Sequence, residues 1–142
     1  MRKNRSNLML SLGLLLVAAL ACKFGASTAN ISGLKIGKDK SVSKETSSFG
    51  TSDTIYAIAE ISNAPDKLKV KGRLAVDDVE GQQQGPIPGL EDTVDLTGSG
   101  TAIFTFSPPA SGWPKGTYRL EVLMLNPDGE QKDQKTVSFT VS

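Results

Sequence analysis

The longest strict alternation in the chain falls over residues 67–77. Leu68, Val70, Leu74 and Val76 occupy one parity; Lys67, Lys69, Lys71 and Arg73 occupy the other. A period of two means a β-strand with one buried and one wet face. Other short apolar segments surround it. Ile31, Leu34 and Ile36 predict a first strand, and residues 54–61 predict a second whose buried face the pattern leaves open. Residues 93–96, 101–106, 117–125 and 135–141 add four more. Between the last two, Asn126-Pro127-Asp128-Gly129 has hairpin chemistry, with Pro presetting φ and Gly supplying a positive φ. No convincing helical period follows residue 22. About seven short strands with frequent turn signals predict an all-β, antiparallel sandwich.

Two connections stand out. Residues 41–52 are rich in Ser and Thr. Residues 79–90 contain Gly-Gln-Gln-Gln-Gly-Pro-Ile-Pro-Gly and predict a long loop. Long loops often carry function, while Pro and Gly equally suit a plain link between sheets.

The first residues follow another pattern. Arg2, Lys3 and Arg5 form a positive head, and residues 8–21 run without a charge. A spanning helix needs ~20 apolar residues, so this run is too short for a permanent anchor and fits a secretory signal. The expected organisation is an export signal over 1–21, an anchored Cys and tether over 22–30, and a β-sandwich domain over 31–142. The tether is small and polar apart from Phe24.

Ala19-Leu20-Ala21-Cys22 resembles a bacterial lipobox. The resemblance implies that the Cys22 thiol receives a diacylglyceryl group and becomes the first residue of a membrane-anchored lipoprotein. Ala19 stands where the commonest pattern has Leu. The same residues satisfy the small-x-small rule of ordinary signal peptidase, which would leave a secreted or periplasmic soluble chain. Each buried CH₂ contributes ~0.8 kcal/mol, so one acyl chain holds weakly and two or three hold durably. Lys23 replaces the Asp that favours inner-membrane retention in this family, which implies the outer membrane. Lys35, Lys38, Lys40 and Lys44 continue a basic trend behind the tether, diluted by Asp39 and Glu45. They would either attract anionic headgroups or serve as ordinary solvated lysines.

Composition narrows the chemistry. The 142 residues carry 16 Lys+Arg against 15 Asp+Glu, and removing the signal leaves 13 basic against 15 acidic. A slightly acidic body lacks the footprint of a nucleic-acid binder. Histidine is absent, which excludes Ser-His-Asp, Cys-His and His-metal chemistry. Cys22 is the single cysteine, so no internal disulfide staples the domain. The domain depends on its core.

Trp113-Pro114-Lys115-Gly116-Thr117-Tyr118 runs straight into a strand, and Phe49 precedes Asp53-Thr54-Ile55-Tyr56 at the opening of another. Together they resemble a recurring immunoglobulin-like domain of exported bacterial proteins. The resemblance implies a tyrosine corner at Tyr118, whose ring packs in the core while its hydroxyl bonds backbone. It carries no catalytic residue with it. The Cys pair of antibody domains is missing.

The candidate sites are few. Lys67, Lys69, Lys71 and Arg73 form either a docking strip for an anionic glycan or acidic protein, or a solvated face balanced by Glu121 and other cross-strand neighbours. Asp77, Asp78, Glu80, Glu91, Asp92 and Asp95 surround the long connection, but their spacing matches no EF-hand loop. The same carboxylates are the only paired-acid candidates for hydrolysis. No cofactor is implied. The expected function is a non-catalytic, lipid-anchored envelope module binding a protein or glycan. The alternatives are a protease-inhibitor-like or assembly-chaperone module and a carboxylate-dependent hydrolase.

Overall fold

The computed structural model describes residues 28–142. The predicted export signal, Cys22 and most of the tether lie outside the described residues. Eight strands follow in chain order: β1 (Asn30–Gly37), β2 (Ser48–Phe49), β3 (Ile55–Ser62), β4 (Leu68–Val79), β5 (Gly85–Leu96), β6 (Gly100–Phe106), β7 (Gly116–Leu125) and β8 (Gln131–Val141). They form two sheets, ordered β1-β3-β6 and β2-β8-β7-β4-β5. Every pairing is antiparallel except the parallel contact of β2 with β8. This is the immunoglobulin-like sandwich that the sequence predicts. Its eighth member, β2, spans two residues inside the polar connection 41–52, too short to show a period.

The core lies between the sheets. Ile55, Ala57, Ala59 and Ile61 of β3 and Ala102, Phe104 and Phe106 of β6 face Val70, Leu74 and Val76 of β4 and Leu120, Val122 and Met124 of β7. Burial resolves the ambiguity of the second predicted strand, since Tyr56, Ile58 and Glu60 lie on its outer side. Gly72 interrupts the apolar parity of β4 for a steric reason. A Cβ there would stand 2.9 Å from the Phe104 ring, so glycine makes room for that ring between the sheets.

The predicted long loop over 79–90 is largely strand. Only residues 80–84 turn, and β5 begins at Gly85. Arg73 pairs with Glu91 and Ala75 with Pro86, so residues 87–90 stand opposite Leu74 alone. The result is a wide bulge in which Ile87 and Leu90 turn back to pack on the core. Pro86 and Pro88 are tolerated because β5 is an edge strand with a free side. Those prolines and glycines hid the strand from a reading by periodicity. The predicted hairpin is present: Asn126 N donates to Glu130 O at 2.9 Å, and Gly129 has φ of 88°.

The two ends of the sandwich differ. At one, β1 begins beside the turns 63–67, 97–99 and 126–130; Ala64 N donates to Ser99 Oγ at 2.9 Å, and Ala29 shares a cleft with Ala64 and Pro127. Lys38, Lys40 and Lys44 follow β1 at the other. Eight residues at ~3.3 Å each separate them from the point where the tether joins, roughly 25 Å away. They do not cluster behind the tether as the linear sequence suggests.

Candidate functional site

The two segments that carry the family resemblance meet in space. Trp113 is buried, its Nε1 donates to Asp53 O at 2.7 Å, and its backbone N donates to Thr51 O at 2.8 Å. The Asp53 carboxylate accepts from Gly50 N at 2.6 Å and pairs with Lys38 at 3.1 Å. These contacts, the backbone bond first, hold its pKa below the usual aspartate value. Tyr118 donates its hydroxyl to Pro114 O at 2.6 Å, and burial pushes its pKa up. Its ring stacks on Phe139 at 5.5 Å, and Phe49 meets Phe139 edge-on at 5.4 Å. Gly116 permits the close pairing of β7 with β4: at φ of 150°, a Cβ would collide with Asp78 O and the Val79 side chain. This is a tyrosine corner, and its polar groups are spent on holding loops.

The basic strip is divided. Lys69, Lys71 and Arg73 lie on the outer face of β4, whereas Lys67 precedes the strand. Arg73 stands directly across from Glu121 of β7, and its Nε donates to Glu121 Oε1 at 2.7 Å. Arg119 Nε donates to Glu121 Oε2 at 3.0 Å, and its guanidinium also pairs with Asp77. Burial alone would raise the pKa of Glu121, but the hydrogen bonds from Arg73 and Arg119 outweigh it and hold the carboxyl below its ordinary value. Hydrogen bonds to Glu121 first and then to Asp77 raise the pKa of Arg119. Lys71 pairs with Glu91 at 3.2 Å. Glu60 sits on the other sheet and takes no part.

Two members of the strip therefore belong to a sheet-surface network, and the other two face a furrow. Among the described residues no ion pair includes Lys67 or Lys69. Both line a cleft of about 360 Å³ with Leu68, Leu96, Asp95 and Pro127. Lys67, Leu68 and Pro127 also border a second cleft of about 280 Å³ that reaches Ala29 and Met124. The two form one shallow, largely apolar furrow with a cationic lip, at the end where the tether joins. Sequence periodicity put Lys67 and Lys69 with Lys71 and Arg73; only the cross-strand register separates them.

The acidic residues do not converge. Asp77 is held by Arg119 and Glu91 by Lys71. Among the described residues, no group of three or more Cys, Asp and Glu side chains is placed to hold a metal ion. Cys22 lies outside the described residues.

No protein-family model and no curated protein matches the chain. Solved structures do. A β-glucuronidase of Bacteroides uniformis aligns with 79% of this chain at 17% identity and a TM-score of 0.53. A Niemann-Pick type C2 protein from the Japanese carpenter ant aligns with 83% of this chain and 96% of its own at 14% identity, with a TM-score of 0.50. An immunoglobulin-like protein from Pseudomonas aeruginosa aligns with 83% of this chain and 99% of its own at 15% identity, with a TM-score of 0.45. In the glycosidases it matches, this chain spans 14–17% of the whole length. At these identities the likeness is one of fold, and unrelated functions share this sandwich.

Proposed function

We propose that this chain is a non-catalytic, lipid-anchored interaction module of the bacterial envelope. Cys22 carries the lipid, and the sandwich contacts a protein or anionic glycan near the membrane surface. One observation carries the reading. The first strand begins at Asn30, eight residues after Cys22, at the same end as the furrow lipped by Lys67 and Lys69. Eight residues reach at most about 30 Å, so the anchor would hold that end close to the bilayer and its anionic surface groups. The outer membrane is the destination implied by Lys23.

The non-catalytic part of the proposal draws support from how the charges are used. Glu121, Asp77, Arg73 and Arg119 neutralise one another across β4 and β7. The furrow's two carboxylates lie in different clefts, Asp95 with Lys67 and Lys69 in the first and Asp66 with Lys132 in the second. An acid and base pair for hydrolysis must instead flank one scissile bond.

Intact mass on the membrane fraction of cells making the full precursor, beside a Cys22→Ser version, tests the anchor. A mature mass beginning at Cys22 plus acyl chains, lost in the variant, is the expected result. An unmodified soluble chain would overturn the lipid anchor and redirect the search to secreted targets.

A further inference from the structure

The two sheets present four edge strands: β1, β6, β2 and β5. An open edge is a row of unpaired N–H and C=O groups, ready to pair with another chain unless something blunts it. Three of the four are blunted. β5 carries Pro86, Pro88, a wide bulge and the charges of Glu91, Asp92 and Asp95. β2 is two residues long. β1 has a register shift between Ile31 and Gly33, and side chains of β8 cover its start: Ile31 N donates to Asp133 Oδ2 at 2.8 Å, and Lys135 Nζ donates to Ile31 O at 3.3 Å.

β6 has none of these devices. Its seven residues, Gly-Thr-Ala-Ile-Phe-Thr-Phe, pair with β3 in unbroken register and contain neither Pro nor a charge. The neutral stretch extends well beyond the strand, since no Asp, Glu, Lys or Arg occurs between Asp95 and Lys115. Among the described residues, no β6 backbone group bonds outside its ladder with β3. On its outer face stands Ile103, 41% exposed and the exposed large hydrophobic residue of the described chain.

We infer that the β6 edge is a self-association surface, where a second copy of this chain adds its own β6 in antiparallel register. Charge and sequence symmetry single out that occupant. A two-fold interface sets a patch against itself, so a charged edge would repel its copy, while a neutral one does not. In the register that pairs all seven residues, Ile103 faces Ile103 of the second copy and Thr101 faces Thr105. On the inner side Ala102 then faces Phe104, a small residue against a large one. Thr–Thr and β-branched apolar pairs are favourable cross-strand neighbours. The two three-stranded sheets become one six-stranded sheet with its cores on the same side. The inference rests on the sheet edge and stands whether or not Cys22 is acylated.

The test uses the full chain in detergent micelles. Analytical ultracentrifugation should show a protein dimer, and Ile103→Lys should raise its dissociation constant more than about tenfold, because like charges would then meet at the two-fold. Thr105→Lys provides a second, outward-facing variant, and circular dichroism checks that both remain β-folded. In a Cys22→Ser background, Ile103→Cys should give a disulfide-linked dimer on oxidation, while Thr93→Cys on the β5 edge should not. A folded chain that stays monomeric at every concentration would overturn the inference. So would equal crosslinking at Thr93, or a dimer indifferent to both lysines. Crosslinking of Ile103→Cys in cells to a different protein alone would also overturn it, by giving the edge to a foreign strand.

Discussion

The tyrosine-corner end of the sandwich and its outer sheet face both gather polar groups, and they use them in opposite ways. At the end that holds the tyrosine corner, Trp113, Tyr118 and Asp53 each bond backbone carbonyls or N–H groups, and apart from the Asp53–Lys38 pair these contacts fix loops. On the outer face, Arg73, Arg119, Glu121 and Asp77 bond one another across strands. The first arrangement makes the fold depend on individual side chains. The second gathers charge around the buried Glu121, while Arg73, Arg119 and Asp77 keep contact with water, so each pair is partly screened. Stability should therefore be concentrated in the corner and binding in the furrow beyond the network.

The largest expected effect is at Trp113. Trp113→Ala removes a buried indole and the bond that ties residues 107–115 to Asp53, and should cost about 3–5 kcal/mol. Urea unfolding of the two proteins measures it. A loss below about 1 kcal/mol would mean the corner is held elsewhere and the contrast with the outer face is false.

Glu121→Gln tests the outer face. Glu121 is 7% exposed, the one buried charged residue among those described, and its loss leaves Arg73 and Arg119 without their shared carboxylate. The expected cost at neutral pH is about 1–3 kcal/mol, moderated because both guanidinium groups keep contact with water. The pH dependence follows from the direction of the shift. The folded carboxyl titrates below its ordinary value of 4.5, so its contribution is present above that pH and is lost as pH falls through the lower folded value. Unfolding curves taken from neutral pH downward should converge for wild type and variant below pH 4.5. Parallel curves throughout would remove Glu121 from the acid response.

Tyr118→Phe sharpens the comparison within the corner. The ring stack on Phe139 survives and only the bond to Pro114 O is lost, so about 0.5–1.5 kcal/mol should follow. A variant as stable as wild type would assign the corner to packing alone.

Much of this architecture was legible because period two and turn chemistry act locally. The alternation over 67–77, the Asn-Pro-Asp-Gly hairpin and the Trp-Pro-x-Gly-x-Tyr segment each declare their own structure within a few residues. What escaped depends on partners far along the chain. The end of β5 was read as a strand over 93–96, but its first part was masked by Pro86, Pro88 and two glycines, which only an edge position and a bulge make acceptable in a strand. The basic strip looked uniform because a strand's own sequence cannot say which acid stands across from it. The β4–β7 register puts Glu121 beside Arg73, and the β4–β5 pairing brings Glu91 to Lys71. The division between occupied and unoccupied cations exists only in three dimensions.

That division yields the smallest stability effect and a clear functional readout. Lys67 and Lys69 hold no ion pair among the described residues, so replacing both with Gln should change stability by no more than about 0.5 kcal/mol. If the furrow receives an anionic partner, the same double variant should abolish retention on immobilised dextran sulfate, a polyanionic glycan probe. Arg73→Gln should instead lower stability, because it breaks the Glu121 network, and leave retention nearly intact. The opposite pattern, retention lost with Arg73 and kept without the two lysines, would move the binding surface onto the network itself. Retention unchanged in all three proteins would remove anionic glycans from consideration and leave the furrow's apolar floor of Leu68, Leu96 and Pro127 as the contact surface.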